Sequence, residues 1–311
     1  MPLISVIIPL YNKDSIIKDT LNSVLHQSFT DYEIIVVNDG STDTSEKIVT
    51  RFSDNRIILF NQLNKGAAAA RNLGIEKSNG KLIAFLDADD YWYPNHLEEL
   101  VKLYLRFPNC GSYCSRYKIQ NSKENFTKPH FKGVSDDFYG VIPNYFRSNY
   151  PFKINITLNQ IIPKKILLEM GCFSEEITNG QDLELWTKIA IEYPVALHDK
   201  TTAIYNYYVP NSLSKKDIRQ MKLMNFNQFK KEELKNKDLK KFLDLHRIFY
   251  AIHYKIANEN KLVQFYLQDV KSYNIPLKTK ALFLLPSPIL QKLLKLKHWL
   301  RNKGVDFTIY D

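Results

Sequence analysis

Cysteine is scarce in this chain of 311 residues, with only Cys110, Cys114 and Cys172. Three are too few and too unevenly placed for a disulfide framework, and Cys110 and Cys114 lack a second His or Cys pair at zinc-site spacing. They read as reduced thiols, the state expected of a cytosolic protein. Long apolar runs are missing too: no stretch approaches the roughly 18 residues that a membrane-spanning helix needs. Met1 to Ile8 has no basic segment followed by a long apolar one, so no secretory leader is expected. No G-x-G-x-x-G follows the first apolar run, which disfavours a nicotinamide-dependent enzyme. Basic charge without regularly interleaved aromatics or a nucleic-acid motif argues against RNA or DNA as a partner.

What is present is an ordinary globular composition, 44% apolar and 24% charged. The net charge of +10 is unevenly spread. From Asn211 to Asp311 there are 21 Lys and Arg against 9 Asp and Glu, whereas the rest of the chain carries 22 against 24. All the excess positive charge therefore sits in the last third, which points to an acidic partner surface for that region.

The first hundred residues alternate short apolar runs with amphipathic patterns. Strands are expected at Ile4–Ile8, Glu33–Val37, Arg56–Phe60 and Lys81–Leu86. Helices are expected over Ser15–His26, Thr42–Phe52 and Ala67–Lys77, and after Pro94. Ile16, Ile17, Leu21, Val24 and Leu25 place an apolar stripe on one face of the first helix. This alternation implies an α/β fold, a Rossmann-like and mostly parallel sheet with helices on both faces. From Cys110 to Pro163 no clear period survives, and irregular strands and loops over a cleft are expected. Helices return at Lys164–Met170 and Asp182–Glu192, strands at Val195–His198 and Thr202–Tyr208, and helical spacing dominates beyond Ser214. In that last region Ile289, Leu293, Leu296 and Leu300 share one helix face, with Leu290, Leu294 and Trp299 nearby and Lys292, Lys295, Lys297 and Arg301 filling much of the rest. Such a helix suits an anionic membrane surface; packing on the preceding α/β region or a sister subunit is the alternative.

The most informative stretch is Ile83-Ala84-Phe85-Leu86-Asp87-Ala88-Asp89-Asp90, an apolar run that ends in three carboxylates. The carboxyl end of a buried strand is where open α/β sheets bind ligands, and acids crowded there repel unless a cation or a donor shares the site. Hard oxygen ligands beside a phosphate-bearing substrate fit Mg²⁺ or Mn²⁺. A solvated turn capping the next helix is the structural alternative. Four other segments accompany it: Ile8-Pro9-Leu10-Tyr11-Asn12; Val37-Asn38-Asp39-Gly40-Ser41-Thr42-Asp43; Asn64-Lys65-Gly66 through Ala67–Ala70 to Arg71-Asn72-Leu73-Gly74; and Asn179-Gly180-Gln181-Asp182-Leu183-Glu184-Leu185-Trp186. Parallel neighbours would gather three of them into one crevice.

In order, spacing and wording these segments resemble the family 2 glycosyltransferases over roughly residues 3 to 214. The resemblance implies a GT-A-type fold: a catalytic domain over 1–214, with a nucleotide-sugar half at 1–109 and an acceptor half at 110–214, followed by a helical basic region at 215–311. It also implies an inverting transfer from a nucleotide diphosphate sugar, with UDP as the expected carrier, to a glycan or lipid-linked glycan. Bacterial surface polysaccharide synthesis at the inner membrane face is the expected setting.

Each residue also has its own chemistry. Tyr11 offers a ring for a nucleobase, or is a packed surface aromatic; Pro9, Asn12, Gly66 and Ala88 belong to the donor-binding motifs by resemblance. Asp39 can accept from a base N–H or serve its own Asx turn, and Ser41 and Asp43 can cap the next helix. Arg71 can meet a diphosphate with its planar fork, or form a structural salt bridge. With a spacing of two on extended chain, Asp87 and Asp89 would point to one side. The resemblance assigns the cation chiefly to Asp89, with Asp87 nearer the ribose and Asp90 as a helper. It makes Asp182 the catalytic base, preceded here by Gln181 where the family has Glu. Trp186 either lines the acceptor site or belongs to the core. Asn211-Ser212-Leu213-Ser214 resembles a loop that closes over the donor phosphates. Rival readings are a nucleotidyltransferase, which should show a Gly-rich basic loop where Ile8–Asn12 has no glycine, and a catalytically inactive nucleotide- or carbohydrate-binding scaffold.

Overall fold

Continuous apolar runs are stable as strands only when both faces of their sheet are covered. In the computed structural model, which describes residues 1–209 and 217–302, β1 (Ile4–Leu10) and β2 (Tyr32–Asp39) are buried at every position but Pro9. The chain runs β1, α1 (Ile17–Leu25), β2, α2 (Ser45–Val49), β3 (Ile57–Gln62), α3 (Ala67–Lys77), β4 (Leu82–Phe85), β5 (Tyr91–Trp92) and α4 (His96–Arg106). It continues through β6 (Ser112–Gln120), β7 (Phe126–Thr127), β8 (Gly140–Val141), α5 (Tyr145–Ser148), β9 (Gln160–Pro163), α6 (Lys164–Glu169), α7 (Gln181–Glu192) and β10 (Val195–Asn206). Among the described residues these strands form one sheet in the order β3-β2-β1-β4-β9-β6-β10-β5, with β7 on β6 and β8 on β10. β3, β2, β1 and β4 are parallel; β9 runs antiparallel to both β4 and β6, and β6 and β10 are parallel again.

Side chains alternate between two cores with the period of two that strands impose. Ile4, Val6, Ile8 and Leu10 join Ile34, Val36, Leu82 and Ala84 on one face. Ile7 joins Ile35, Val37, Ile83 and Phe85 on the other. The second face is closed by α3, whose Gly74 lies so near Ile7 that an added Cβ would stand 2.4 Å from a side-chain carbon of Ile7. A methyl group there would force α3 off the sheet.

The mostly parallel α/β sheet is as the sequence implies, and α3 has the bounds expected. The second helix is shorter, Ser45–Val49, and the two late strands are one, β10, with register shifts between Leu197 and Ala203. The region read as irregular holds β6, nine residues long and largely buried. Its polar residues conceal it, because they are satisfied inside the fold: Ser112 donates to Gln160 Oε1 (2.5 Å), and Ser115 accepts from Thr202 (2.7 Å).

The basic region forms α8 (Lys230–Lys235), α9 (Lys237–Ile256), α10 (Asn260–Leu267), α11 (Leu277–Leu284) and α12 (Ser287–Asn302). The expected boundary at 214 lies outside the described residues. α9 packs into the same core as the sheet: Phe242 meets Phe146 at 5.5 Å between ring centres, and Asp238 accepts from Asn144 (2.7 Å). Beneath it, the buried Asp244 accepts from Lys240, Arg247, the Lys271 amide and Asn274, binding α9 to the segment after α10. On α12, Leu290 is buried and Arg301 donates to Asn121 (2.8 Å), whereas Ile289, Leu293, Leu296 and Trp299 are exposed, Trp299 at 57%. No helix among the described residues is long and apolar enough to cross a membrane.

Removing the Asp244 carboxylate would leave the buried Arg247 and the part-buried Lys240 with Glu233 as their remaining carboxylate. Asp244→Ala should therefore cost roughly 3 to 5 kcal/mol of stability. Urea or thermal unfolding checks this; a loss below about 1 kcal/mol, the range of exposed pairs, would show that the cluster is not a structural tie.

Candidate functional site

Asp39 ends β2, and its carboxylate is nearly inaccessible to water. It accepts from Gln62 Nε2 (2.7 Å) and from the backbone amides of Lys65 (2.8 Å) and Gly66 (2.9 Å). Asp39 thus fixes the loop that leads into α3, and a base N–H would come as a further donor to the same group. Asn38 beside it accepts from the Ser41 amide (3.0 Å) and donates to Asn61 (2.9 Å). Across from this loop, Asn12 adopts a left-handed conformation (φ 50°) and accepts from the Thr42 amide (2.8 Å). Its own amide donates to Ser41 Oγ (3.1 Å), so Ser41 clasps the first loop and does not cap the helix. Asp43 does serve the helix start, accepting from the Ser45 amide (2.9 Å). Pro9 pairs in register with Val37 inside the sheet, and the Tyr11 ring lies exposed beyond the end of β1.

The acidic stretch leaves β4 at Phe85 and turns, with the Asp90 amide donating to the Asp87 carbonyl (3.0 Å). Asp87 and Asp89 therefore sit on a turn, not on the extended backbone expected, because the ladder with β1 ends at Phe85. The buried Ala88 and the neighbouring Asp90 have their carbonyls fixed by Thr20 Oγ1, each at 3.0 Å. Each outer acid has its own cation. Arg71 Nη2 lies 2.5 Å from Asp87 Oδ1, its guanidinium buried and 5.4 Å from the centre of the Phe173 ring. Lys13 Nζ lies 2.7 Å from Asp89 Oδ2. Burial and then Asp87 push the Asp89 carboxyl up, against the pull of Lys13. Asp90 is buried deeper; burial and its neighbours Asp89 and Asp87 push it well above the usual carboxylate range. Its Oδ1 accepts from the Asn206 amide at the end of β10 (2.8 Å), and its Oδ2 has no partner.

Asp182 lies in the first turn of α7, entered through Gly180 at φ 90°. A side chain at 180 is disfavoured by that backbone, and its Cβ would lie 2.7 Å from the Tyr250 hydroxyl, which would have to shift. Lys153 Nζ stands 3.3 Å from Asp182 Oδ2. Burial alone would raise the Asp182 carboxyl, but Lys153, the Leu183 amide and the field of Arg71 outweigh it and hold it below the ordinary range. From α9, His246 and Tyr250 approach the same acid: burial and Lys153 press His246 down to about 3, so it is neutral, while burial and Asp182 raise the Tyr250 hydroxyl. Trp186 is core, packed edge-on against Phe173 at 5.6 Å, and Gln181 is buried. The stretch Asn211–Ser214 lies outside the described residues.

Four of these contributors are absent from the motif reading. Lys13 directly follows Asn12, just beyond the Ile8–Asn12 segment. Lys153 sits in the stretch without a period, and His246 and Tyr250 lie on a helix that reads as ordinary amphipathic. A divalent cation would find hard oxygen ligands in Asp87 and Asp89, beside the unpartnered Asp90 oxygen. Among the described residues no three acidic, His or Cys side chains converge as a complete metal cage, so a cation here would complete its coordination with water or a bound ligand.

The sequence model of Glycosyl transferase family 2 matches residues 5–174. An uncharacterized glycosyltransferase of Rickettsia bellii is 36% identical over 191 residues, 60% of this chain and 26% of that protein. The Escherichia coli protein WfgD, a UDP-Glc:alpha-D-GlcNAc-diphosphoundecaprenol beta-1,3-glucosyltransferase, is 40% identical over 121 residues, 39% of this chain and 47% of WfgD. Such alignments span only between 19% and 58% of the curated relatives' own length. In fold the chain is similar to S. aureus TarS: the 1–349 fragment in complex with UDP-GlcNAc superimposes with a TM-score of 0.61 at 19% identity, covering 97% of this chain and 79% of that one. With the family's sequence model matching more than half of its length, the chain belongs to glycosyl transferase family 2.

Proposed function

We propose that this glycosyltransferase transfers a sugar, with inversion, from a UDP-sugar to a hydroxyl of a glycan or lipid-linked glycan in bacterial surface polysaccharide synthesis. The observation that carries the reading is the acidic turn at the carboxyl end of β4, where Asp87 pairs with Arg71 and Asp89 with Lys13, in a chain whose residues 5–174 match the family's sequence model. The UDP carrier is supported by the TarS complex with UDP-GlcNAc and by the name of WfgD, whose diphosphoundecaprenol substrate supports a lipid-linked acceptor.

In this reading Tyr11 faces the nucleobase, and Pro9, Asn12 and Gly66 shape the loops around the nucleoside. Asp39 holds the Lys65–Gly66 loop in place and offers its remaining lone pair to the base. Arg71 orients the diphosphate against Asp87. A divalent cation, Mn²⁺ or Mg²⁺, held by Asp89 with Asp87, would supply electrostatic neutralisation of the departing nucleoside diphosphate. The acceptor oxygen forms its bond to the anomeric carbon as the bond from that carbon to the diphosphate oxygen breaks, and Asp182 takes the hydroxyl proton. A carboxyl held below the usual range by Lys153 stays ionised and able to accept that proton at neutral pH. The exposed apolar side chains of α12, flanked by Lys292 and Lys295, fit the anionic inner face of a membrane, where a lipid-linked acceptor would be met.

Titration calorimetry with UDP should show binding that strengthens with Mn²⁺, and Asp89→Ala should lose the metal dependence. Absence of UDP binding with metal present would remove the donor-site assignment. Asp182→Asn should lower kcat by roughly 10²- to 10⁴-fold while UDP affinity stays within about twofold; a variant with full turnover would take the base role from Asp182. Vesicles rich in phosphatidylglycerol should co-sediment the protein, and Lys292→Glu with Lys295→Glu should weaken this about tenfold or more, given about 1 kcal/mol per basic residue. Equal behaviour with neutral phosphatidylcholine vesicles would contradict the membrane face.

A further inference from the structure

The two cations that compensate the acidic turn are built differently. Arg71 is buried on α3, its planar guanidinium directed at Asp87 and set against the Phe173 ring. Lys13 sits on the turn between β1 and α1, its side chain 21% exposed, with a compact ammonium on a flexible stem. Its starting point is nevertheless fixed. The Lys13 amide donates to Ser45 Oγ (2.8 Å) and the next amide, of Asp14, to Asp43 Oδ2 (3.1 Å). The stem therefore rises from an anchored backbone to reach Asp89 Oδ2 at 2.7 Å.

A carboxylate oxygen bonded to an ammonium is not available to a metal ion until the ammonium leaves. With Lys13 and Arg71 in place, Asp87 and Asp89 are matched charge for charge, so the bare turn attracts a divalent cation weakly. A bound diphosphate adds negative charge and restores the imbalance, which favours entry of the cation and gives the displaced ammonium a new anionic partner.

We propose that Lys13 is a tethered counter-ion of Asp89, competing with the divalent cation for that carboxylate and turning to the donor diphosphate when the cation binds. This rests on the donor-site reading above and adds to it an order of events: cation and nucleotide bind together, because Lys13 disfavours the cation alone. Lys13 is a positioning residue in this scheme and takes no part in bond making.

The test uses the full chain and Lys13→Met, which keeps a similar stem and removes the charge, with Lys13→Gln as a second variant and thermal unfolding as a check on folding. Mn²⁺ binding without nucleotide is read by electron paramagnetic resonance of the free ion, and UDP binding without metal by calorimetry. Both variants should bind Mn²⁺ alone on the order of tenfold more tightly than wild type, the effect of removing one part-buried competing charge, and bind metal-free UDP several-fold more weakly. Unchanged or weaker Mn²⁺ binding in folded variants would overturn the proposal even if wild type binds UDP with Mn²⁺. Failure of wild type to bind UDP under any metal condition would instead sink the donor-site reading, and with it the transfer of Lys13 to a diphosphate.

Discussion

Carboxylates at the edge of a buried sheet repel one another and lose hydration, so each needs a compensating group before the fold can hold them together. The site is organised around that constraint. Asp39 is compensated by two backbone amides and Gln62, Asp87 by Arg71, Asp89 by Lys13, Asp90 by the Asn206 amide, and Asp182 by Lys153. The compensating groups come from different elements: the turn after β1, helix α3, the loop before β9 and the end of β10. Gathering the acids therefore also stitches the two halves of the sheet to each other.

The least compensated group is Asp90, whose second oxygen has no partner and whose carboxyl is pushed well above the ordinary range. It lies behind the two outer acids and is reached by β10, the strand that leads toward the segment after residue 209. The arrangement keeps the outer acids, Asp87 and Asp89, partly open to solvent and ligand while the third is sealed into the fold. On the other side, α9 carries His246 and Tyr250 up to Asp182, so the basic C-terminal region contributes to the surroundings of that acid as well as to the outer surface. The same region faces inward through α9 and outward through α12.

Much of the parallel half was legible in the sequence because β1, β2 and β4 are covered on both faces and read as short, mainly apolar runs, Ile4–Ile8 among them. α3 was legible because Ala67–Ala70 and Gly74 leave no other use for so many small residues than close packing on β1. The second half was not, since Ser112 and Ser115 sit inside β6 as satisfied polar groups and erase its alternation. Among site residues, acids at strand ends announced themselves, whereas their partners did not: Lys13 and Lys153 are ordinary lysines until the fold sets them against Asp89 and Asp182. The extended geometry expected for Asp87 and Asp89 failed for a local reason, the turn closed by the Asp90 amide on the Asp87 carbonyl. On α12 the apolar positions were read correctly, but the helix uses the neighbouring face, through Leu290 and Arg301, to pack, and leaves Ile289, Leu293 and Leu296 outside.

The claim that the acidic turn is the donor site is tested most directly by locating a bound cation. Crystals of the protein grown with UDP and Mn²⁺ should give an anomalous peak between Asp89 and the diphosphate, with the Lys13 ammonium moved off Asp89 Oδ2. A manganese peak elsewhere on the molecule, with Lys13 still paired to Asp89 and UDP bound away from Tyr11 and Asp39, would contradict the account.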